Sequence, residues 1–200
     1  MPVPEDDDLG RYLEDTIIID WQTPSVMAKC RELLEGISTG EEHVERLFRF
    51  VRDEIGHSLD IETEAHPCRS SEVLKEGTGL CYAKSHLLAA LLRSTGIPVG
   101  FCYVRLEDEE RPGACVLHGF NAVYWEPRRG WIFLDARGNT DAIETECRFE
   151  PPWSLVAWPE AERGESFLPF IYRRPAKRIV ELLERVPNFE TLRRSLPDSI

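Results

Sequence analysis

A single cysteine, Cys81, stands at the start of the most apolar helix that the sequence predicts, in the segment GTGLCYAKSHLLAALLR. A thiol at a helix N-terminus lies beside main-chain N–H groups without intrahelical acceptors and beside the positive end of the helix dipole. Both features favour the thiolate, the nucleophilic form of cysteine. The N–H of Cys81 is free to donate to an oxyanion, and the preceding glycines would let a substrate approach the backbone. The pattern is typical of a nucleophile, although a small core cysteine would also fit a helix start.

A cysteine nucleophile needs a base, and the base needs a group that orients it. His118 lies near the start of a predicted strand, and Asp135 lies at the end of the next one. Taken singly, His118 would be read as a hydrogen-bonded strand residue and Asp135 as a turn residue. Together with Cys81 they have the residue types of a Cys-His-Asp triad, in which the carboxylate fixes the tautomer of the imidazole.

The hairpin between these two strands decides whether the imidazole and the carboxylate can meet, because a shift of one residue moves a side chain to the other face. A four-residue loop over 126–129, EPRR, pairs Trp125 with Gly130. This register places His118 and Asp135 diagonally on one face, at a separation that side chains can span. A loop of three or five residues would put them on opposite faces unless a bulge intervened. The sequence EPRRG suits the four-residue loop, because Pro127 fits the second position of a type I turn, and we predict that loop.

The rest of the sequence predicts the elements that hold these side chains. Apolar residues surround most of the helix that begins at Cys81, which indicates burial on several sides, and the segment 99–137 alternates with the period of strands. Helices are predicted over 23–37, 38–55, 70–77, 81–96, 175–186 and 188–196, and strands over 99–106, 116–125 and 130–137. An acidic loop, EDEERPGA, joins the first two strands. Helices followed by consecutive strands indicate an α+β fold with an antiparallel sheet.

The composition restricts the partners and the location. The chain has 24 basic and 36 acidic residues, a formal net charge of −12. This charge repels phosphate backbones and anionic lipid surfaces, so we expect neither nucleic acid nor membrane as a partner. The first residues are acidic and lack the apolar stretch of a secretory leader, and no apolar run reaches the roughly 18 residues of a membrane span. The predicted location is the cytoplasm.

Six cysteines occur along the chain without a C-x-x-C pair, which gives little support to a structural metal site. His66 and Cys68, in the tripeptide HPC, come closest to a ligand pair, and no metal is predicted. Cys102 and Cys115 are expected to face each other across two neighbouring strands, as free thiols in a reducing compartment.

The segments GLCYAKSHLLAALLRSTGIPVGF, HGFNAVYW and GWIFLDARG together resemble the transglutaminase-like core, and FVRDEI and SSEVLKEG resemble its upstream part. The resemblance covers about residues 40–140. It implies a papain-like fold, in which the central buried helix packs on the antiparallel sheet, and it implies Cys81, His118 and Asp135 as the catalytic triad. Gly119 departs from the alanine that often follows the family's histidine.

We accordingly divide the chain into an acidic N-terminal segment (1–22), a catalytic core (23–140) and a C-terminal helical extension that packs on the core (141–200), within a single domain overall. The resemblance ends near residue 140, so it implies nothing about the function of the extension.

The resemblance implies a cysteine enzyme that forms a thioester acyl-enzyme from an amide. Water would release the acyl group in a protease, amidase or deamidase, and an amine would accept it in a transglutaminase. The oxyanion would be held by the N–H of Cys81 and by a second donor that the sequence does not identify, with His57 and Tyr82 as weak candidates. No cofactor is implied. The expected partners are a peptide or protein amide and an amine acceptor, and the oligomeric state stays open.

Two alternatives remain at this stage. An arylamine N-acetyltransferase also uses cysteine, histidine and aspartate in this order, although its nucleophile segment and flanking helices differ and this chain is short for it. A catalytically inactive interaction domain with the same fold is the other alternative, and the presence of all three triad residue types argues against it.

Overall fold

The computed structural model describes residues 1–108, 111 and 113–200, so Glu109, Glu110 and Pro112 of the predicted acidic loop lie outside the described residues. Within the described part, helices and strands combine in the mixed α and β architecture that the sequence predicts. The helices are α1 Pro24–Leu33, α2 Gly40–Arg49, α3 Ser70–Glu76, α4 Cys81–Arg93, α5 Lys177–Arg185 and α6 Phe189–Arg194. The helix predicted over 38–55 is not uniform, because a π-helical turn, Phe50–Glu54, follows α2.

The strands are β1 Val3–Pro4, β2 Gly56–His57, β3 Thr78–Gly79, β4 Val99–Glu107, β5 Cys115–Trp125, β6 Gly130–Leu134, β7 Ser166–Phe167 and β8 Phe170–Ile171. The central sheet is antiparallel, with strand order β6-β5-β4-β7. Two short parallel pairs, β1 with β8 and β2 with β3, lie outside it. The strand predicted over 130–137 ends at Leu134, and Asp135 is the first residue beyond β6.

The β5–β6 hairpin has the predicted register. Trp125 lies opposite Gly130, and Asn121 lies opposite Leu134. The connection has the predicted four residues, formed by the 3-10 turn Glu126–Arg128 and by Arg129 in the left-handed conformation, with φ of 51°. This loop length brings Asp135 to the same face of the hairpin as His118.

The expected pairing of Cys102 with Cys115 is wrong. Cys102 lies opposite Phe120, and Cys115 lies opposite Glu107 at the last pair of the β4–β5 ladder. The reason is the register of the two strands: the long β4–β5 connection does not fix it, and the observed register places Cys115 five residues before Phe120, the partner of Cys102. All six cysteines are free thiols.

Helix α4 is the centre of the core. Every residue from Tyr82 to Arg93 is buried, as the apolar residues around most of its circumference predict. Its packing on β5 is close, because the Asn121 amide donates to the carbonyl of Ser85 at 3.1 Å. At its C-terminal end the buried Arg93 guanidinium donates to the carbonyls of Val99, Glu14 and Arg173. These bonds fix α4 to the sheet and to both terminal segments.

Both terminal segments contact the core. The hydroxyl of the buried Tyr12 donates to the carbonyl of Ile171, and β1 pairs with β8. Just before β8 in the extension, β7 pairs with β4 at the edge of the central sheet. The extension therefore contributes a strand to the sheet on which α4 packs. Among the described residues, no helix is both long and apolar enough to cross a membrane.

Candidate active site

The segment before Cys81 is shaped by tight packing. Gly77 ends α3 in the left-handed conformation, with φ of 66°, and β3 then pairs with β2. A Cβ on Gly79 would lie 2.9 Å from the Cβ of Ala83, closer than such atoms approach in proteins. The sequence suggested that these glycines serve the approach of a substrate. In the structure one of them forms a turn and the other lets the chain pack against the first turn of α4, with the half-buried Cys81 as the first residue of that helix.

His118 and Asp135 are in direct contact. The distance from His118 Nε2 to Asp135 Oδ2 is 2.8 Å. The Asp135 side chain is fully buried, and the His118 side chain is 11 % exposed. Because Nε2 bonds to the carboxylate, Nδ1 is the ring atom that remains for the thiol of Cys81.

The electrostatics of His118 show that the thiol and the carboxylate act on the same ring. Burial alone would lower the pKa of His118. The negative charge of Asp135, the nearby Cys81 thiol and the hydrogen bond of the ring to Asp135 outweigh burial and raise the pKa of His118 to about 10. The imidazole therefore holds its proton at neutral pH, and the structure brings all three predicted side chains together.

Sequence reasoning missed the groups that hold the Asp135 carboxylate. Oδ2 accepts a second hydrogen bond, from the main-chain N–H of Val156 at 2.9 Å, and Oδ1 accepts from the N–H of Arg137 at 3.4 Å. The Thr145 hydroxyl donates to the main-chain carbonyl of Asp135 at 2.8 Å. Val156 and Thr145 lie in the extension, where the sequence has neither a clear period nor a motif, so no sequence signal pointed to them.

The two candidate second donors differ. The Tyr82 hydroxyl donates to the carbonyl of Leu117, so it is already engaged in the contact between α4 and β5. His57 is buried on β2 beside β3. Burial first, and then the positive charge of Arg137, lower the pKa of His57 to about 3, so its ring is neutral. Its Nδ1 lies 3.6 Å from Asp60 Oδ1 and has no hydrogen-bond partner within the described part of the chain.

A buried lysine lies one turn after Cys81 in α4. The side-chain nitrogen of Lys84 donates to the carbonyls of Arg52, at 3.2 Å, and Ile55. Burial lowers the pKa of Lys84 to about 7. These carbonyls belong to the π-helical turn and the residue after it, so Lys84 fixes the segment that leads into β2 to the helix that carries Cys81.

Gly119, the departure noted in the sequence, has a packing reason. A Cβ at this position would lie 2.8 Å from Cδ1 of Tyr82. The ring of Phe120 is nearly parallel to that of His118, with ring centroids 6.5 Å apart and an interplanar angle of 14°. The replacement of alanine by glycine after His118 thus accommodates the tyrosine that follows the cysteine.

A sequence profile of the transglutaminase-like superfamily matches residues 28–136, more than half of the chain. The chain belongs to the transglutaminase-like superfamily. The matched region includes Cys81, His118 and Asp135 and ends just after the last of them. A search of curated proteins found no match.

This superfamily member also resembles solved structures. A candidate cysteine protease from Cytophaga hutchinsonii superposes with a TM-score of 0.52 at 17 % identity, over 66 % of this chain and 43 % of that chain. The periplasmic domain of TgpA from Pseudomonas aeruginosa gives a TM-score of 0.47 at 20 % identity, over 64 % of this chain and 46 % of that chain. The chain thus spans less than half the length of either protein. The first superposition supports the shared fold, and the predicted α+β, transglutaminase-like architecture is confirmed.

Proposed function

We propose that this protein is a cysteine enzyme that uses Cys81, His118 and Asp135 to form a thioester acyl-enzyme from an amide. The observation that carries the proposal is the His118 imidazole, which bonds to a buried carboxylate through Nε2 at 2.8 Å and interacts with the thiol of Cys81. A protonated imidazole beside a thiol stabilises the thiolate, and a thiolate at a helix N-terminus is a strong nucleophile. Membership of the superfamily supports the same chemistry.

In the proposed reaction, the proton of Cys81 resides on His118, so the pair reacts as thiolate and imidazolium, and the thiolate attacks the amide carbonyl. The negative charge that develops on the carbonyl oxygen is held by the main-chain N–H of Cys81, which has no acceptor within α4. The imidazolium then protonates the leaving amine, and the carbon–nitrogen bond breaks to give the thioester. Asp135 holds the ring in one tautomer and stabilises its positive charge. The proposal needs no cofactor and no metal.

The second step decides the class of product. Water, deprotonated by His118, would release a carboxylic acid, and a primary amine would give a new amide. The proposed partners are therefore a peptide or protein that supplies the acyl group and, for transfer, an amine-bearing acceptor. The net charge of −12 favours basic partners over anionic ones at long range.

The second oxyanion donor would be His57 rather than Tyr82. The Tyr82 hydroxyl is engaged by Leu117, whereas His57 is neutral and lies on the strand that pairs with the residues just before Cys81. Replacing His57 by phenylalanine should slow acylation of Cys81 without preventing alkylation of its thiolate. Equal loss of both reactions would assign His57 to the structure of the site instead.

The test of the proposed function uses p-nitrophenyl acetate, an activated ester that needs no side-chain recognition. We expect one equivalent of p-nitrophenol in a burst and, by intact mass after acid quenching, one acetyl group on Cys81. The variants Cys81→Ala and His118→Ala should lose both. No burst and no adduct in the wild-type protein would contradict the proposal.

Trapping with peptide and glutamine-amide libraries then identifies the acyl donor. Resolution of the trapped thioester by water indicates a hydrolase, and resolution by an added primary amine indicates a transferase. A parallel incubation with acetyl-CoA and an arylamine tests the acetyltransferase alternative, which predicts consumption of acetyl-CoA.

A further inference from the structure

The Asp135 carboxylate lies beyond the end of β6, where the strand no longer fixes its backbone. Its Oδ2 atom is shared by two donors, His118 Nε2 at 2.8 Å and the main-chain N–H of Val156 at 2.9 Å. The carboxylate is fully buried, so no water competes for this oxygen from bulk solvent. Val156 comes from the extension, 20 residues after the end of the region that matches the superfamily profile.

We propose that the main-chain N–H of Val156 is a positioning group for the proposed reaction, and that residues 145–156 of the extension form a necessary part of the active site. The inference depends on the proposed function, because Val156 would act through Asp135 and His118 and would not touch the substrate. It gives a function to a segment for which the sequence suggested none.

Buried side chains hold the segment that leads into Val156 in place. Trp153 and Leu155 are less than a tenth exposed, and the Trp153 ring contacts Phe133 on β6 with centroids 5.7 Å apart. The Arg128 guanidinium lies 5.3 Å from the centre of the Trp153 ring. The segment just before Val156 therefore packs on the same hairpin that carries His118 and Asp135.

A second bond fixes the backbone of Asp135 itself. Thr145 is fully buried, and its hydroxyl donates to the carbonyl of Asp135 at 2.8 Å. The N–H of Thr145 donates in turn to Asn139 Oδ1 at 2.9 Å. The extension thus holds Asp135 by its main chain through Thr145 and by its side chain through Val156.

The physical consequence follows from the geometry of a carboxylate. With His118 as the single donor on Oδ2, only the long 3.4 Å bond from the Arg137 N–H to Oδ1 would further resist rotation about the Cβ–Cγ bond, which exchanges the two oxygens at the imidazole. With two donors on one oxygen, rotation breaks both bonds, and a bond to a charged acceptor contributes more than a neutral one. The orientation of His118 towards Cys81 is therefore set in part by Val156.

The matched pair of variants is Val156→Pro and Val156→Ala. Proline removes the N–H, whereas alanine keeps it and shortens the side chain. We expect Val156→Pro to lower the kcat for ester hydrolysis by roughly tenfold or more, the loss of one hydrogen bond to a charged group, with KM changed less than about twofold. Val156→Ala should retain kcat within about twofold. Equal kcat values for the two variants would overturn the proposal.

A double-variant measurement separates positioning from a general structural effect. If Val156 acts through the carboxylate, Val156→Pro should cause little further loss of kcat in the Asp135→Ala background. A loss as large as in the wild-type background would assign the proline effect to the fold and contradict the proposal.

A third measurement covers the case in which the proline variant does not fold. Amide hydrogen exchange of Val156 should accelerate in Asp135→Ala relative to the wild-type protein, while that of the neighbouring Leu155 changes less. Unchanged exchange at Val156 would contradict the hydrogen bond. This readout needs no activity, so it remains informative if the wild-type protein gives no ester burst and the proposed function itself fails.

Discussion

Replacing Asp135 by asparagine should alter the pH dependence of stability, because the carboxylate is the main group that keeps His118 protonated. Burial opposes the charged ring, and the charge of Asp135 is the largest of the effects that overcome it. The pKa of His118 is thereby raised to about 10, from an ordinary value of 6.5. The asparagine side chain can still accept a hydrogen bond, so the substitution removes the charge and preserves the shape.

The sign of the effect follows from proton binding. A histidine whose pKa is higher in the folded than in the unfolded state contributes stability that is fully present below pH 6.5. That contribution is lost as the pH rises from 6.5 to about 10. Within this window the folded state holds one proton more than the unfolded state, so the free energy of unfolding falls by about 1.4 kcal/mol per pH unit. The whole window corresponds to a few kcal/mol.

Urea unfolding between pH 6 and pH 10 measures this contribution, in the Cys81→Ala background so that no thiol ionises beside the ring. Removing the thiol also removes its part in raising the pKa of His118, so the window should end below pH 10. Stability should fall with pH more steeply in this background than in its Asp135→Asn and His118→Ala derivatives. Parallel curves for all three proteins would refute the charge interaction as the cause of the raised pKa.

Three further predictions concern the packing around the site. Leu88→Ala, at a fully buried position in α4, should lower the free energy of unfolding by roughly 2–5 kcal/mol in urea titration. A decrease below about 1 kcal/mol would contradict the position of α4 at the centre of the core. Tyr82→Phe leaves the Leu117 carbonyl without its donor, so it should lower the free energy of unfolding by about 1–3 kcal/mol while the ester burst persists. If the burst is lost while the stability is unchanged, the hydroxyl acts in catalysis instead. Gly119→Ala should lower the free energy of unfolding by about 1–3 kcal/mol, because the new methyl group crowds Tyr82. The same substitution should lower it less in a Tyr82→Ala background.

The sequence was informative where a short connection determined the geometry. The contact between His118 and Asp135 requires an even number of residues in the β5–β6 loop. The EPRR sequence indicated four residues, and the structure has this length. The burial of α4 could also be predicted, because apolar residues cover most of its circumference.

Prediction failed where a feature depends on contacts between distant segments. The hydrogen bond from Val156 to Asp135 joins two positions that are 21 residues apart. The sequence between them has no periodicity, so no local pattern predicts the bond. The π-helical turn after α2 involves carbonyls that bond to Lys84 on another helix. The misplaced pairing of Cys102 and Cys115 arose because the register of β4 and β5 depends on a longer connection, whose length does not determine strand pairing.

The division into residues 1–22, 23–140 and 141–200 remains a prediction, and the contacts show how closely its parts depend on each other. The extension supplies β7, the donor to the Asp135 carboxylate and the donor to the Asp135 carbonyl. A protein truncated at residue 140 should therefore lose stability and the ordered carboxylate together.

The most direct test of the Cys81–His118 pair is the rate at which each cysteine reacts with iodoacetamide near neutral pH, resolved by peptide mass spectrometry. Cys115 is a suitable internal reference, because it is also partly exposed and lies three residues before His118 on the same strand. We predict that Cys81 alkylates at least tenfold faster than Cys115 and that His118→Ala removes the difference. Equal rates for the two cysteines in the wild-type protein would contradict a thiolate–imidazolium pair at this site.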